Sequence, residues 1–324
     1  MEVRDVCATG NVIIAGAYRD YTSNAYFFRS TDNGVTWAMT DSFGVDNTSP
    51  GVNFVIYPSF TFLVDGADIF ASVGGGVNRG DIYRSTDDGI TWSDKGISWP
   101  ESGTDQAENI SAFCAAGQDI FAATFHGVFL STDQGRYWNP ANSGFPTTYT
   151  GFPPVAGHLL ATGNRVFAGT ADGIFESSDA GATWNSISQR LNGSLAAIGT
   201  DIFVGVFQFP ADTNGGVFVS KDNGASWNPV NNGLTEHTIN TLITDGTNLY
   251  AGTNSGAFFS TNQGANWSFI STGSHTDSMV VLCLAVGNSR LVEGTLNGVS
   301  LYPLSQLSGT GRKATQVRRK QKGG

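Results

Sequence analysis

The octet STDNGVTW, Ser30 to Trp37, decides the fold, because the chain says it five more times. It returns as STDDGITW (Ser85–Trp92), STDQGRYW (Ser131–Trp138), SSDAGATW (Ser177–Trp184), SKDNGASW (Ser220–Trp227) and STNQGANW (Ser260–Trp267). The acidic position falls on Asp32, Asp87, Asp133, Asp179 and Asp222, with Asn262 in the last copy. The steps are therefore 55, 46, 46, 43 and 40 residues. A period of this size, with several short strands per copy, marks a propeller or array of repeats.

Each octet reads as a tight connection between two antiparallel strands. The Ser closes the incoming strand, and the Asp two residues on accepts hydrogen bonds from N–H groups of its own loop. The glycine of each copy (Gly34 in the first) stands where a positive φ is expected, which glycine meets without strain. Trp37, Trp92, Trp138, Trp184, Trp227 and Trp267 begin the outgoing strand and fold back over the turn. Burying one tryptophan removes about 150–250 Å² from water, worth about 4–6 kcal/mol at about 25 cal/mol/Å². With six of 7 tryptophans in this one context, the octet is structural. Asn262 points the same way: an amide keeps the acceptor but fails as an acid or a metal ligand.

Outward from the octets, each copy contributes three apolar runs, for example ISAFCAAG, DIFAAT and GVFLS before Ser131. The expected fold is all-β: a seven-bladed β-propeller of four-stranded antiparallel blades over residues 1–307. The blades fall at about 3–40, 60–96, 110–141, 155–188, 194–230, 239–270 and 280–304. The seventh (VLCLAVG, SRLVEGT, NGVSLYPL) has no octet and no fourth strand, so the last blade is incomplete. Its missing strand is expected just before Met1, since a bare sheet edge is a liability. Residues 308–324 have no periodicity and read as a basic disordered tail.

The octets resemble the Asp-box, or BNR repeat, of sialidase-like β-propellers, and the resemblance spans nearly the whole chain. It implies that each box joins the third and fourth strands of a blade, on the face opposite the functional one. The chain also looks like the propeller region of bacterial exported repeat proteins and like photosystem II assembly-factor propellers. Those assembly factors present an Arg-rich face, from which this chain departs.

Of 17 basic residues, six (Arg312, Lys313, Arg318, Arg319, Lys320, Lys322) lie in the last 13 positions, which hold no acid. The remainder carries 11 basic against 27 acidic residues, a net charge of −16. Such a surface repels phosphate backbones and excludes nucleic acid as a partner of the ring. Cys7, Cys114 and Cys283 sit inside apolar runs and read as buried free thiols. No disulfide or metal spacing is present, no cofactor is expected, and no apolar run is long enough to span a membrane. Residues from Met1 read as strand without a signal peptide. Either the chain is cytoplasmic or an upstream segment is missing; because chains of this kind are usually exported, the expectation is an extracellular, cell-surface or periplasmic monomer whose leader lies upstream.

In the family geometry, the loops between second and third strands share a face with the loops joining blades. The long ones are Ala17–Ala25, Asp41–Ser59, Gly74–Gly80, Lys95–Asn109, Asn142–Pro154 and Phe207–Gly215, and long loops of this kind are commonly functional. They nominate Tyr18, Arg19, Asp20, Tyr21, Tyr57, Arg79, Trp99, His126 and Tyr149 as ligand-binding residues. Trp99 stands out as the one tryptophan outside the octets. Flat rings beside Asp, Asn and Arg suit a glycan; the same surface suits a protein partner, or the rings simply pack the loops down.

A sialidase needs three arginines clamping a carboxylate, a Tyr nucleophile paired with Glu, and an Asp acid. Its Phe-Arg-Ile-Pro motif is missing; Arg4 in VRDV is the nearest match, and Arg19, Arg79 and Arg190 fall on loops. Xyloglucanase-type enzymes place paired Asp residues between two propellers, whereas this chain has one ring, and Asp20, Asp46 and Asp105 read as solvated loop carboxylates. His126, His158, His237 and His275 show no ligand spacing. The expectation is a non-catalytic binding or interaction module with a glycan or protein partner on the face opposite the boxes. A glycoside hydrolase acting on extracellular glycans is the alternative.

Overall fold

The computed structural model describes residues 1–18, 24–44, 59–75, 78–94, 110–148, 152–188, 191–207, 215–270, 280–287 and 289–307. Seven antiparallel sheets follow one another along the chain. Blade one is β1 (Glu2–Thr9), β2 (Val12–Tyr18), β3 (Asn24–Ser30) and β4 (Ala38–Gly44). Blade two is β5 (Ser59–Asp65), β6 (Asp68–Gly75), β7 (Asn78–Ser85) and β8 (Ser93–Asp94). Blade three is β9 (Ile110–Ala116), β10 (Asp119–Thr124), β11 (Gly127–Ser131) and β12 (Asn139–Pro140). Blade four is β13 (Ala156–Thr162), β14 (Arg165–Thr170), β15 (Gly173–Ser177) and β16 (Asn185–Ser188). Blade five is β17 (Gly193–Ile198), β18 (Asp201–Val206), β19 (Gly216–Ser220) and β20 (Asn228–Pro229). Blade six is β21 (Ile239–Thr244), β22 (Leu249–Thr253), β23 (Gly256–Ser260) and β24 (Ser268–Phe269). Blade seven has three strands, β25 (Val281–Gly287), β26 (Arg290–Thr295) and β27 (Gly298–Pro303), followed by a 3-10 turn at Leu304–Gln306. Among the described residues there is no α-helix and thus no helix long and apolar enough to cross a membrane.

Within each blade the chain meanders, so consecutive strands pair. The first strands, β1, β5, β9, β13, β17, β21 and β25, pack in that order, and β25 packs back against β1 to close the ring. Apolar side chains of the second strands (Phe70, Phe121, Phe167, Phe203) are fully buried between blades. The blades approach so closely that a Cβ on Gly205 would lie 2.4 Å from Ile239, and one on Gly252 would lie 2.7 Å from Val281. Polar side chains staple the inner strands. The Phe62 N–H donates to Asp5 Oδ2 at 2.7 Å, and Ser194 Oγ accepts from the Leu242 N–H and donates to the Leu242 carbonyl. All three cysteines are buried free thiols.

This topology sets two faces. Turns between first and second strands and between third and fourth strands lie at one end, the lower face. Second-to-third turns and blade-to-blade connections lie at the other, the upper face. Two expected loops shrink. Gly75 pairs with Asn78, so the stretch Gly74–Gly80 is mostly ladder, and β4 continues to Gly44 rather than breaking at Asp41.

Candidate functional site

On the lower face every octet repeats one core of bonds, and a hydroxyl bond to the Asp is added in copies one, two, four and five, where Thr or Ser stands four residues past it. In the first, Ser30 Oγ donates to Asp32 Oδ1 and accepts from the Gly34 N–H, while Asp32 accepts from both the N–H and the hydroxyl of Thr36. Asn262 makes the equivalent bonds to Ser260 and to the Asn266 N–H. The Thr hydroxyls, and then the Thr N–H groups, hold the carboxyls of Asp32, Asp87 and Asp179 down at about 2. These carboxylates have their lone pairs committed to their own loops, and the octet is a fastener.

It fastens blade to blade. The glycine of each box lies against the preceding blade: a Cβ on Gly89 would meet Ile14, one on Gly135 would meet Phe70, and one on Gly181 would meet Phe121. Trp184 and Trp267 donate their indole N–H groups back to Ala141 and Val230 of the preceding blade, both at 2.7 Å. Trp37 and Trp138 donate within their own box, to Gly34 and Gly135. Arginines reach forward to the next box: Arg29 to the Asp88 carbonyl, Arg84 to Gln134 and Arg165 to Asn223.

On the upper face, four second-to-third turns share one backbone. Thr124, Thr170, Thr253 and Thr295 each donate a hydroxyl to the carbonyl of the glycine three residues on. Each also accepts the N–H of the second tip residue, His126, Asp172, Ser255 and Asn297 respectively. The spacing Thr-x-x-Gly is readable in the sequence and marks these tips as a set, which the octet-centred reading passed over. Their tip pairs differ: Phe125–His126, Ala171–Asp172, Asn254–Ser255 and Leu296–Asn297. Phe125 is 50% exposed and Leu296 44%.

Of the nine nominated ligand residues, Arg19, Asp20, Tyr21, Tyr57, Trp99 and Tyr149 lie outside the described residues, as does the side chain of Arg79 at the upper end of β7. His126 is on the upper face, its ring 4.5 Å from that of Phe152. Tyr18 stands at the upper end of β2, within the ladder. It is the last residue of β2, not a loop residue, and it is 3% exposed. Its hydroxyl accepts from Arg4 at 2.8 Å and donates to Glu2, and Arg4 pairs with Glu2 at 2.6 Å. A Tyr–Glu pair beside an Arg has the makings of an activated phenol. Burial and the Glu2 carboxylate instead push the Tyr18 hydroxyl up to about 12, so it stays a neutral donor that ties β1 to β2. Phe145 of the loop Asn142–Pro154 likewise packs inward, stacked on Trp184 at 5.0 Å. Among the described residues no group of His, Cys, Asp and Glu is placed to hold a metal.

The BNR/Asp-box repeat family matches residues 83–94, the blade-two octet with its flanks. No curated protein matches the chain by sequence. Its backbone is similar to that of YCF48 bound to D1 peptide, at 14% identity and a TM-score of 0.63, covering 93% of this chain and 92% of that one. It is similar to an ancestral GH74 enzyme, AFV00434, at 17% identity and a TM-score of 0.64, covering 93% of this chain and 44% of the enzyme. The extracellular domain of BT4673 from B. thetaiotaomicron aligns at 18% identity and a TM-score of 0.59, over 96% of this chain and 41% of that one. The chain thus spans less than half the length of the latter two. Repeat, blade count and ring closure agree: the chain is a seven-bladed β-propeller with six copies of one octet, of which the copy in blade two matches the BNR/Asp-box repeat.

Proposed function

We propose that this propeller is a binding module that holds a polypeptide partner on its upper face. The carrying observation is the contrast between its two ends. Lower turns repeat their side chains and bond them to one another, whereas the Thr-anchored upper turns keep one backbone and change the side chains at the tip. Varied side chains on a rigid backbone make a pre-organised surface, which lowers the ordering cost of binding. Large apolar side chains left open there, Phe125 and Leu296 among them, suit a protein surface. The similarity to YCF48, whose structure holds a peptide, supports the same choice.

A glycosidase would need two carboxyls facing each other across about 5–10 Å. Of the described upper-face carboxylates Glu2, Asp172 and Glu236, Asp172 is exposed at the blade-four tip, while Glu2 is engaged by Arg4 and Tyr18 and Glu236 accepts from the Thr238 N–H and the Ser255 hydroxyl. Carboxyls already bonded in this way favour binding over hydrolysis. The test is a screen of the full chain against synthetic peptide and glycan arrays, together with incubation with xyloglucan and sialyllactose. Saturable peptide binding with intact substrates is expected. Release of reducing sugar or sialic acid, or binding to glycans alone, would overturn the reading.

A further inference from the structure

Among the described residues of the upper face, one sector is both apolar and locked in place, at the junction of blades three and four. The tip Phe125–His126 is fixed by Thr124, as above. Beside it, the Thr148 N–H and hydroxyl both donate to the Phe152 carbonyl, at 2.8 and 2.7 Å. Phe152 lies against His126, and Pro153 packs on the same turn, 2.7 Å from where a Cβ on Gly127 would stand. Val155 follows, 40% exposed, and its carbonyl accepts from the Ala171 N–H at 3.1 Å, joining the patch to the blade-four tip. That tip ends in the exposed carboxylate of Asp172.

Three features choose the occupant. The polar groups beneath the patch are engaged internally: Asn142 accepts from the Val128 N–H and donates to the His126 carbonyl, and the Thr148 hydroxyl is bonded to Phe152. A glycan needs such groups turned outward to meet its hydroxyls. The apolar surface instead offers area to aliphatic or aromatic side chains. The charge favours a cation, since Asp172 forms the rim and the chain before its basic tail carries 11 basic against 27 acidic residues.

We propose that Phe125, Phe152 and Val155, rimmed by Asp172, form a docking site for a peptide segment that sets apolar side chains beside lysine or arginine. This rests on the polypeptide-binding reading above and adds where on the upper face, and for what chemistry.

The probe is a synthetic heptapeptide of leucine, phenylalanine and lysine, titrated calorimetrically onto the full chain. Its glutamate-for-lysine counterpart, oligolysine and a xyloglucan oligosaccharide are run beside it. The lysine peptide is expected to bind best. Phe125→Ala should weaken it at least about tenfold, as loss of an aromatic anchor does. Asp172→Asn should weaken it about two- to fivefold and flatten its salt dependence, as for a rim ion pair. Tyr137→Ala, on the lower face, should change nothing. Melting curves of each variant separate lost binding from lost folding. Peptide binding that ignores Phe125→Ala but falls with Leu296→Ser overturns the sector and leaves the upper-face reading standing. Preference for the glutamate peptide, oligolysine or the oligosaccharide overturns the occupant. Failure of every peptide sinks both.

Discussion

The residue before the glycine in every octet also holds a positive φ: Asn33, Asp88, Gln134, Ala180, Asn223 and Gln263 lie between 55° and 60°. Asn and Asp tolerate this region through local hydrogen bonds, whereas Ala carries the full steric penalty of about 1–2 kcal/mol. Ala180→Asn is therefore expected to stabilise the protein by about 0.5–1 kcal/mol in urea melts, and an unchanged or lower midpoint would contradict the argument. Glu293 is the other residue out of step. It is 1% exposed and occupies the β26 position filled by alanine or valine in the other six blades. Its Oε1 has no partner among the described residues, and burial, only partly offset by the Tyr302 hydroxyl, pushes its carboxyl from 4.5 up to about 8. The folded chain then binds this proton more tightly than the unfolded chain. Stability on this account falls as pH rises from about 4.5 to about 8 and levels off above. Asp5, raised to about 7 by burial between blades one and two despite its N–H partners, adds to the same slope. Glu293→Gln should match the parent near pH 4.5 and exceed it at pH 8, by on the order of 2–4 kcal/mol. Parallel Tm–pH curves for the two proteins would refute this.

At the scale of elements, a second repeated device joins the blades. WNPANSGF (Trp138–Phe145) and WNPVNNGL (Trp227–Leu234) leave blades three and five through one corner. In each, an Asn side chain accepts a strand N–H (Val128, Val217), and a carbonyl (Ser143, Asn232) accepts the backbone N–H of the next blade's Trp. The corner glycines combine positive φ with contact: a Cβ on Gly144 or Gly233 would stand 2.2 or 2.4 Å from the carbonyl oxygen of Trp184 or Trp267. Gly246 has a similar φ but open space around it. Gly144→Ala and Gly233→Ala should each cost at least about 2–3 kcal/mol by denaturant unfolding, and Gly246→Ala about 1 kcal/mol. Equal losses at all three would mean that φ alone matters. Legibility in the sequence followed repetition. The octets recur in six blades because six boxes solve one packing problem, whereas the corners occur in two blades and fall below the level at which a period is noticed. Bonds such as Asp5 to Phe62 join distant residues with no local pattern to betray them. Tyr18 reads as a loop residue in the sequence because an aromatic at a strand end looks, in one dimension, like the start of a loop; it is instead the buried last residue of β2.

Across the whole molecule, the ring has seven blade interfaces but only six boxes to seal them. The box of each of blades one to six lies on the blade before it, so that Gly34 of blade one meets Leu301 of blade seven and thereby seals the junction of the chain's two ends. The interface between blades six and seven has no box. Its place is taken by the 3-10 turn, whose half-buried Leu304 and Leu307 pack on the buried cluster of Tyr250, Phe259, Ile270, Leu284, Leu291 and Tyr302, with the Leu304 N–H donating to the Ser289 carbonyl at 2.7 Å. Buried Glu293 weakens the same interface at neutral pH, and β27 has no fourth strand among the described residues. Local opening starts where burial is thinnest, so the ring should open first between blades six and seven. Native-state hydrogen exchange tests this directly. Amides of β25–β27 should exchange ahead of those of β9–β15 at pH 7, and the L304A/L307A double variant, losing about 1–2 kcal/mol per half-buried leucine, should speed exchange of β25–β27 by about thirty- to a thousandfold. If instead β25–β27 of the parent exchange no sooner than β9–β15, the ring has no preferred seam and comes apart only by global unfolding.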